Sequence, residues 1–219
     1  MRENGLELSI ILGGICQTNT LIGVSYSRGT ANPSAVIVDP VVSADYILRF
    51  LQNIKCDITK SKILITHGHF DHILTVSDLQ NMGAKVYISE TDYRLLQKQD
   101  FDFKLDGFSN TAVKPFRADV LLNDGDTFTV AGVKYKVMAT PGHTPGSICY
   151  ISESERFIIS GDTLFRLSVG RTDFPYSDGN ALNKSIKKLF SLSGDYTVYP
   201  GHGPITTLDF ERQHNFYAY

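Results

Sequence analysis

The stretch His67-Gly68-His69-Phe70-Asp71-His72 is the most informative part of this chain of 219 residues. It places three imidazoles and one carboxylate directly after the apolar run Lys62-Ile63-Leu64-Ile65, which is typical of a buried strand. Imidazole and carboxylate are ligands of zinc, iron and manganese in proteins. The stretch therefore predicts a metal site at a strand end, as is common in α/β folds, rather than a chance cluster on a solvated loop.

The other candidate ligands also follow apolar strands. His143 lies in Ala139-Thr140-Pro141-Gly142-His143-Thr144-Pro145-Gly146, and His202 lies in Tyr199-Pro200-Gly201-His202-Gly203-Pro204. Asp162 follows Phe157-Ile158-Ile159 in the same way. Glycine at such junctions lets the backbone approach a bound ion closely. Taken together, these positions predict one shared metal site, while His214 is expected on the surface of a last short helix.

The order of these motifs resembles the metallo-β-lactamase superfamily and, within it, the shorter relatives of hydroxyacylglutathione hydrolase (glyoxalase II). The resemblance extends from about Leu8 to the C-terminus and implies two divalent metals per chain, with zinc expected and iron or manganese as alternatives. Matched by position, the first metal would be held by His67, His69 and His143, and the second by Asp71, His72 and His202. Asp162 would bridge the two metals.

This ligand set implies a specific chemistry. Two metals about 3.5–4 Å apart can share a bridging hydroxide, which would serve as the nucleophile without any help from Ser or Cys. Asp71 and Asp162 are therefore the predicted catalytic residues. Both would partly neutralise the metals, Asp162 would set their separation, and Asp71 could also orient the water.

Composition excludes several other classes of protein. The net charge of −2 and the pI near 6.3 do not indicate a basic surface that would bind nucleic acid. The three cysteines (Cys16, Cys56 and Cys149) form neither a disulfide framework nor a C-x-x-C site, which fits a reducing compartment. No apolar run is long enough for a transmembrane helix, and Leu8-Ser9-Ile10-Ile11-Leu12 does not resemble an export signal. We expect a cytoplasmic monomer or homodimer that acts on a small molecule and has no membrane partner.

The elements predict two packed sheets with helices outside. The predicted strands are Leu6–Leu12, Thr20–Tyr26, Ala35–Val38, Lys62–Ile65 and Lys85–Ile88, followed by strand-rich sequence from Val120 to Phe165. The predicted helices are Ser43–Asn53 with Ser43 as N-cap, Ile73–Met82, Glu90–Lys98 and Asn180–Phe190. A pattern that occurs twice suggests two mixed β-sheets flanked by helices. The resemblance implies the same αββα sandwich, here as a single domain over residues 1–219.

Two loop segments are candidates for substrate contact. Gln99–Arg117 carries Phe101, Phe103, Phe108 and Phe116, and we expect these rings to anchor the segment to the core rather than to form a lid. In Arg166–Asp178, Arg171 could grip a substrate carboxylate in bidentate fashion or pair internally with Asp173, and both possibilities stay open. Tyr176, in the same segment, is a second candidate contact. Asp39 is interpreted as a turn former rather than as a partner of a ligand.

Three functions fit these observations to different degrees. The first is hydrolysis of acyl-glutathione-type thioesters similar to S-lactoylglutathione. Because only 17 residues follow His202, no C-terminal helical domain for glutathione binding is expected. The alternative is a mononuclear-iron persulfide dioxygenase of the same fold, although a complete second ligand set favours the dinuclear hydrolase. An electron-transfer scaffold is disfavoured, because similar diiron flavoproteins carry Glu in place of His69; a β-lactamase is disfavoured for want of an export signal.

Overall fold

The first part of the chain forms a six-stranded sheet in the computed structural model, which describes residues 6–25, 33–98 and 113–218. Its strands are β1 (Leu6–Gly13), β2 (Thr18–Ser25), β3 (Ala35–Val38), β4 (Lys62–Leu64), β5 (Lys85–Ser89) and β6 (Val120–Leu122). They lie side by side in chain order, antiparallel from β1 to β3 and parallel from β3 to β6. The helices of this part are α1 (Ala44–Asn53), α2 (Phe70–Ile73), α3 (Val76–Asn81) and α4 (Glu90–Leu96), with a 3₁₀ turn at Ile58–Lys60.

The second part forms another six-stranded sheet. Its strands are β7 (Thr127–Val130), β8 (Val133–Ala139), β9 (Ile148–Ser152), β10 (Phe157–Gly161), β13 (Thr197–Pro200) and β14 (Thr206–Thr207). The order across the sheet is β14-β13-β10-β9-β8-β7, and only the β10–β13 pair is parallel. A small hairpin of β11 (Leu164–Phe165) and β12 (Ser168–Val169) follows β10. The helices are α5 (Gly179–Phe190) and α6 (Leu208–His214), followed by a 3₁₀ turn at Phe216–Ala218.

Strand alternation explains how the layers pack. In β3, Val36 and Val38 point into the core between the two sheets, whereas Ile37 points into the core beneath the first helices with Leu51 of α1. In the second sheet, Ile158 packs in the core beneath α5. A strand that is covered on both faces needs apolar residues at every position, which is what the continuous runs supply. The predicted αββα sandwich is confirmed.

The predicted helix Ile73–Met82 is wrong in its start and in its continuity. Helix α2 begins at Phe70, inside the ligand-rich stretch, and α3 begins only at Val76. Between them, Thr75 donates its backbone N–H and its hydroxyl to the carbonyl of Pro40, at 3.1 Å and 3.0 Å. This contact with the loop after β3 explains the break, because the backbone N–H of Thr75 bonds outside the helix.

The other predicted helices and the first five predicted strands begin and end within two residues of the observed bounds. The one end that cannot be compared is that of the predicted strand Thr20–Tyr26, because Tyr26 lies outside the described residues. The predicted N-cap Ser43 accepts the backbone N–H of Tyr46 at 3.3 Å. The ring of Phe116 packs on the core beneath the first helices, 6.3 Å from that of Tyr93, as anchoring predicts. The other three rings of that segment, Phe101, Phe103 and Phe108, also lie outside the described residues, and their role stays a prediction.

The ends of several strands meet at one edge of the sandwich. In the first sheet Val38 pairs with Leu64 at the ends of β3 and β4, and in the second sheet Gly161 pairs with Pro200. A backbone hydrogen bond from Ile148 to Thr66 (3.0 Å) joins the two sheets at this edge. The loops that carry the predicted ligands all begin here. Among the described residues, no helix has both the length and the apolar character needed to cross a membrane.

Candidate metal centre

The seven predicted metal ligands come together at this edge. Their nitrogen and oxygen atoms form three overlapping groups, in each of which the ligand atoms lie within 4.8 Å of one another. The groups are His67, His69 and His143; His67, His72 and Asp162; and Asp71, His72 and His202. The first and third groups are the two ligand sets that the family resemblance implied.

The separations between these atoms suit ligands that share a cation. Two ligands bound about 2.1 Å from a tetrahedral metal lie about 3.4 Å apart. The Nε2 atom of His202 lies 3.3 Å from Nε2 of His72 and 3.4 Å from Oδ2 of Asp71. The carboxylate of Asp162 lies 3.5 Å from Nε2 of His72, of His143 and of His202, so it contacts both ligand sets. This central position suits the bridging role expected for Asp162.

Two buried polar atoms at the centre also suit a cation. Among the described residues, Nε2 of His143 and Oδ1 of Asp162 have no hydrogen-bond partner. A buried polar atom without a partner is costly, and a bound cation would satisfy both of these atoms. The backbone of Gly201 also lies close to the centre, because a Cβ atom added to this glycine would lie 2.2 Å from Oδ1 of Asp162. The residues present therefore fit a metal centre.

The outer nitrogen of most of these imidazoles is held by an acceptor. Nδ1 of His72 lies 2.9 Å from Oδ2 of Asp39, and Nδ1 of His143 lies 2.9 Å from the carbonyl oxygen of Arg171. Nδ1 of His202 lies 3.1 Å from the carbonyl oxygen of Cys16. A carbonyl or carboxylate oxygen can only accept, so each Nδ1 donates its proton and Nε2 is the nitrogen left to bind a metal. Backbone and side-chain acceptors thus select the tautomer that a metal requires.

Asp39 takes part in this orientation, and its interpretation as only a turn former was wrong. It does have the positive φ of a turn residue (46°), but its buried carboxylate also contacts His72 and Thr66. Thr66 donates its backbone N–H to Oδ1 at 2.8 Å and its hydroxyl to Oδ2 at 2.6 Å. Because that hydroxyl proton is used, Thr66 Oγ1 accepts from Nδ1 of His67 at 3.1 Å. Asp39 therefore orients His72 directly and His67 through Thr66.

The charges at the centre favour a cation. Burial and the neighbouring imidazoles hold the pKa of His67 and of His69 well below the usual range. Burial opposes a charge on His72 as well, but Asp162, Asp39 and Asp71 outweigh it and raise the pKa of His72 to about 10. Burial would also raise the pKa of Asp71, yet the hydrogen bond from His202 and the charge on His72 hold that pKa far below its usual value. The Asp71 carboxylate thus stays ionised and attracts positive charge.

The centre opens into a cavity of about 380 Å³. Besides ligands it is lined by Cys16, Phe165, Ser168, Val169, Arg171 and Phe174. The ring of Phe174 lies edge-on to His69 (5.2 Å) and His143 (5.8 Å), and the ring of Phe165 lies 6.1 Å from His202. Apolar walls therefore stand on both sides of the ligand cluster.

The candidate substrate contacts are placed differently from one another. Arg171 lines the cavity, and its Nε and Nη2 donate to both carboxylate oxygens of Asp173 at 2.6 Å and 2.5 Å. The internal pair of Arg171 and Asp173 is therefore present, and Nη1 of Arg171 takes no part in it. Tyr176 is 57% exposed and is not among the cavity-lining residues, so its role stays a prediction. Sequence reasoning missed Phe165, in β11, and Phe174, although both lie in the segment that follows Asp162.

Comparisons with known proteins identify the family. The family model described as the metallo-beta-lactamase superfamily matches residues 32–202. A hydroxyacylglutathione hydrolase, GloC, of Haemophilus influenzae is 32% identical over 83% of this chain and 86% of its own length.

Solved structures share the fold. The crystal structure of the B3 metallo-beta-lactamase BLEG-1 is 31% identical, with a TM-score of 0.84 over 96% of this chain and 99% of that chain. The crystal structure of TTHA1623 in a di-iron-bound form is 30% identical, with a TM-score of 0.77 over 95% and 99% of the two chains. Because the family match spans most of the chain and the fold and ligand cluster agree with it, this protein belongs to the metallo-beta-lactamase superfamily.

Proposed function

We propose that this chain is a dinuclear metal hydrolase that cleaves small acyl thioesters of the S-lactoylglutathione type. The observation that carries the proposal is the position of Asp162, whose carboxylate lies 3.5 Å from histidines of both ligand sets. His67, His69 and His143 would hold one metal, Asp71, His72 and His202 the other, and Asp162 would bridge them. When bound, two divalent cations supply a Lewis acid for the substrate carbonyl and lower the pKa of a water molecule towards neutrality.

The protein's own side chains orient the reacting groups and accept hydrogen bonds, but none of them is the nucleophile. Burial and the nearby Asp71 carboxylate raise the pKa of the Cys16 thiol to about 11, so this cavity-lining residue is a neutral thiol at pH 7. A neutral thiol is a weak nucleophile. The low pKa of Asp71 keeps its carboxylate ionised, so it can bind a cation and accept a hydrogen bond from water. The rings of Phe165 and Phe174 exclude bulk solvent from the two sides of the cluster.

The thioester substrate is supported by the similarity to GloC, together with the apolar walls. A glutathione carrier has carboxylates, and Arg171 is the one arginine or lysine among the described residues that line the cavity. Asp173 fixes the guanidinium plane through Nε and Nη2, which leaves Nη1 to donate to a substrate carboxylate. Arg171 is therefore the proposed contact for the thiol carrier.

Metal analysis together with a substrate panel tests the proposal. The panel contains S-lactoylglutathione, a thioester of a neutral thiol and, because of the similarity to BLEG-1, a chromogenic cephalosporin; oxygen uptake is measured with glutathione persulfide. We expect two metals per chain and thioester cleavage. One iron per chain, with oxygen uptake and no thioester cleavage, would instead identify the dioxygenase. Cephalosporin cleavage alone would identify a β-lactamase.

Two variants make the panel specific to this centre. Asp162→Ala should abolish cleavage of the preferred thioester. His214→Ala is the control, because His214 is an exposed residue of α6 and is not one of the seven proposed ligands. Its ring stacks on that of Phe210 in the same helix, at 4.5 Å. This variant should retain wild-type turnover.

A further inference from the structure

A second buried carboxylate, outside the ligand cluster, contacts the loops that carry it. Asp92, in the first turn of α4, is 0% exposed. Its Oδ2 accepts the backbone N–H of Gly68 at 2.8 Å and the hydroxyl of Thr144 at 2.7 Å. Its Oδ1 accepts the backbone N–H of Gly146 at 2.7 Å. All three donors belong to ligand-bearing loops.

These donors lie next to the first ligand set. Gly68 is between His67 and His69, and Thr144 directly follows His143. The first loop leaves the end of β4 in one sheet, and the second connects β8 and β9 in the other sheet. One carboxylate therefore bridges the two halves of the sandwich at the point where they supply the three histidines.

We propose that Asp92 is a positioning residue that sets the distance between His143 and the pair His67 and His69, and with it the affinity of the first metal position. The inference rests on the proposed dinuclear centre. The second ligand set is positioned by other groups, namely Asp39 for His72 and the carbonyl of Cys16 for His202. Loss of the Asp92 contacts should therefore weaken the first metal selectively.

The immediate surroundings are built around this carboxylate. A Cβ atom added to Gly146 would lie 2.4 Å from both the backbone nitrogen and Oδ1 of Asp92, so the glycine permits the close approach. A buried carboxylate is costly unless it is fully hydrogen-bonded, and here the three donors meet that requirement. An apolar residue of similar size would fill the space but would leave those donors without an acceptor.

Asp92→Asn is the sharpest perturbation because it changes the hydrogen bonding and barely changes the shape. An amide has one acceptor oxygen and one NH₂ donor group. If the amide oxygen faces Gly68 and Thr144, the NH₂ group meets the N–H of Gly146. If the amide is flipped, the NH₂ group meets the N–H of Gly68. Either orientation places a donor against a backbone donor.

The test measures metal affinity in two backgrounds, using Zn²⁺ and a competing chelator. In His202→Ala, which disables the second position, adding Asp92→Asn should weaken the remaining Zn²⁺ by about 10- to 100-fold. In His143→Ala, which disables the first position, the same addition should change the affinity by less than about twofold. Equal losses in both backgrounds, or no loss in either, would overturn the proposal.

A milder pair of variants guards against misfolding of Asp92→Asn. Thr144→Val removes one donor from Asp92 Oδ2, whereas Thr144→Ser keeps the hydroxyl. In the His202→Ala background we expect Thr144→Val to weaken Zn²⁺ by at least threefold and Thr144→Ser to match the parent; equal affinities for the two contradict the proposal. Wild-type protein that binds a single Zn²⁺ would refute the dinuclear function itself, whereas two tight Zn²⁺ ions with no effect of Asp92→Asn would refute only this inference.

Discussion

Replacing Asp39 by Asn should reverse the proton positions of two metal ligands without changing the shape of the site. In the wild type, Asp39 Oδ2 accepts from Nδ1 of His72 and from the hydroxyl of Thr66. If the amide oxygen of the Asp39→Asn variant keeps the hydrogen bond with the N–H of Thr66, its NH₂ group faces those two atoms. Nδ1 of His72 must then accept, and the proton moves to Nε2, the atom that faces the metal. The freed hydroxyl of Thr66 can likewise donate to Nδ1 of His67.

The size of the effect follows from the bonds that are lost. The contact between Asp39 and His72 is 2.9 Å long and buried, and both side chains are at most 2% exposed. A hydrogen bond to a charged group contributes about 1.5–3 kcal/mol, which corresponds to about 10- to 100-fold in affinity. We therefore expect this loss at the second metal position. The relay through Thr66 to His67 is a neutral hydrogen bond worth about 1 kcal/mol, so the first position should weaken by about fivefold.

Two measurements check this prediction. Chelator competition with Zn²⁺ gives the two affinities, and ¹⁵N NMR of labelled histidine in the Zn²⁺-loaded protein reports whether Nδ1 of His72 carries the proton. Thr66→Val, which removes only the relay, is the matched control and should weaken the first position alone. If Asp39→Asn bound both metals with wild-type affinity and left the His72 tautomer unchanged, the proposed orientation of the ligands by Asp39 would be refuted.

Three further predictions concern the bridge, the pH dependence and the substrate. Asp162→Ala should weaken both metals by at least about tenfold and abolish turnover, measured by metal analysis and thioester cleavage; full activity with one metal lost would contradict the bridging role. Because His72 has a raised pKa of about 10, it holds a proton in the metal-free protein that a cation must displace. Zn²⁺ affinity at the second position, followed by chelator competition, should therefore rise about tenfold per pH unit between pH 7 and 9. For the same reason, the stability that His72 gives the metal-free protein is complete below pH 6.5, the ordinary pKa of His, and is lost as the pH rises through about 10. A Zn²⁺ affinity or a stability that does not change with pH would contradict the corresponding statement. Arg171→Met should raise KM for a glutathione thioester about tenfold, leave kcat and KM for a neutral-thiol thioester unchanged, and change the free energy of unfolding by less than about 1 kcal/mol, since its pair with Asp173 is exposed. An unchanged KM would show that Arg171 serves only the internal pair.

The identity and order of the ligands were readable from the chain because they are local properties. An apolar run followed by glycine and a ligand marks a strand end, and strands that lie parallel in a sheet bring their ends to the same edge. An unbroken apolar run likewise required a sheet that is covered on both faces, as Val36 and Ile37 show by packing in opposite cores. The αββα sandwich and the meeting of the seven side chains at its edge follow from these patterns, together with the resemblance that they revealed.

The partners of the ligands were decided only by the tertiary structure. Asp39 contacts His72, and Asp92 contacts Gly68 and Thr144, across sheets and loops that no sequence spacing relates. The break between α2 and α3 depends in the same way on Pro40, which belongs to a distant loop. Arg171 and Asp173 are only two positions apart, yet a grip on substrate and an internal pair fit the same sequence equally well. Hydrogen bonds depend on distance and direction in space, so proximity along the chain determines them only inside regular elements.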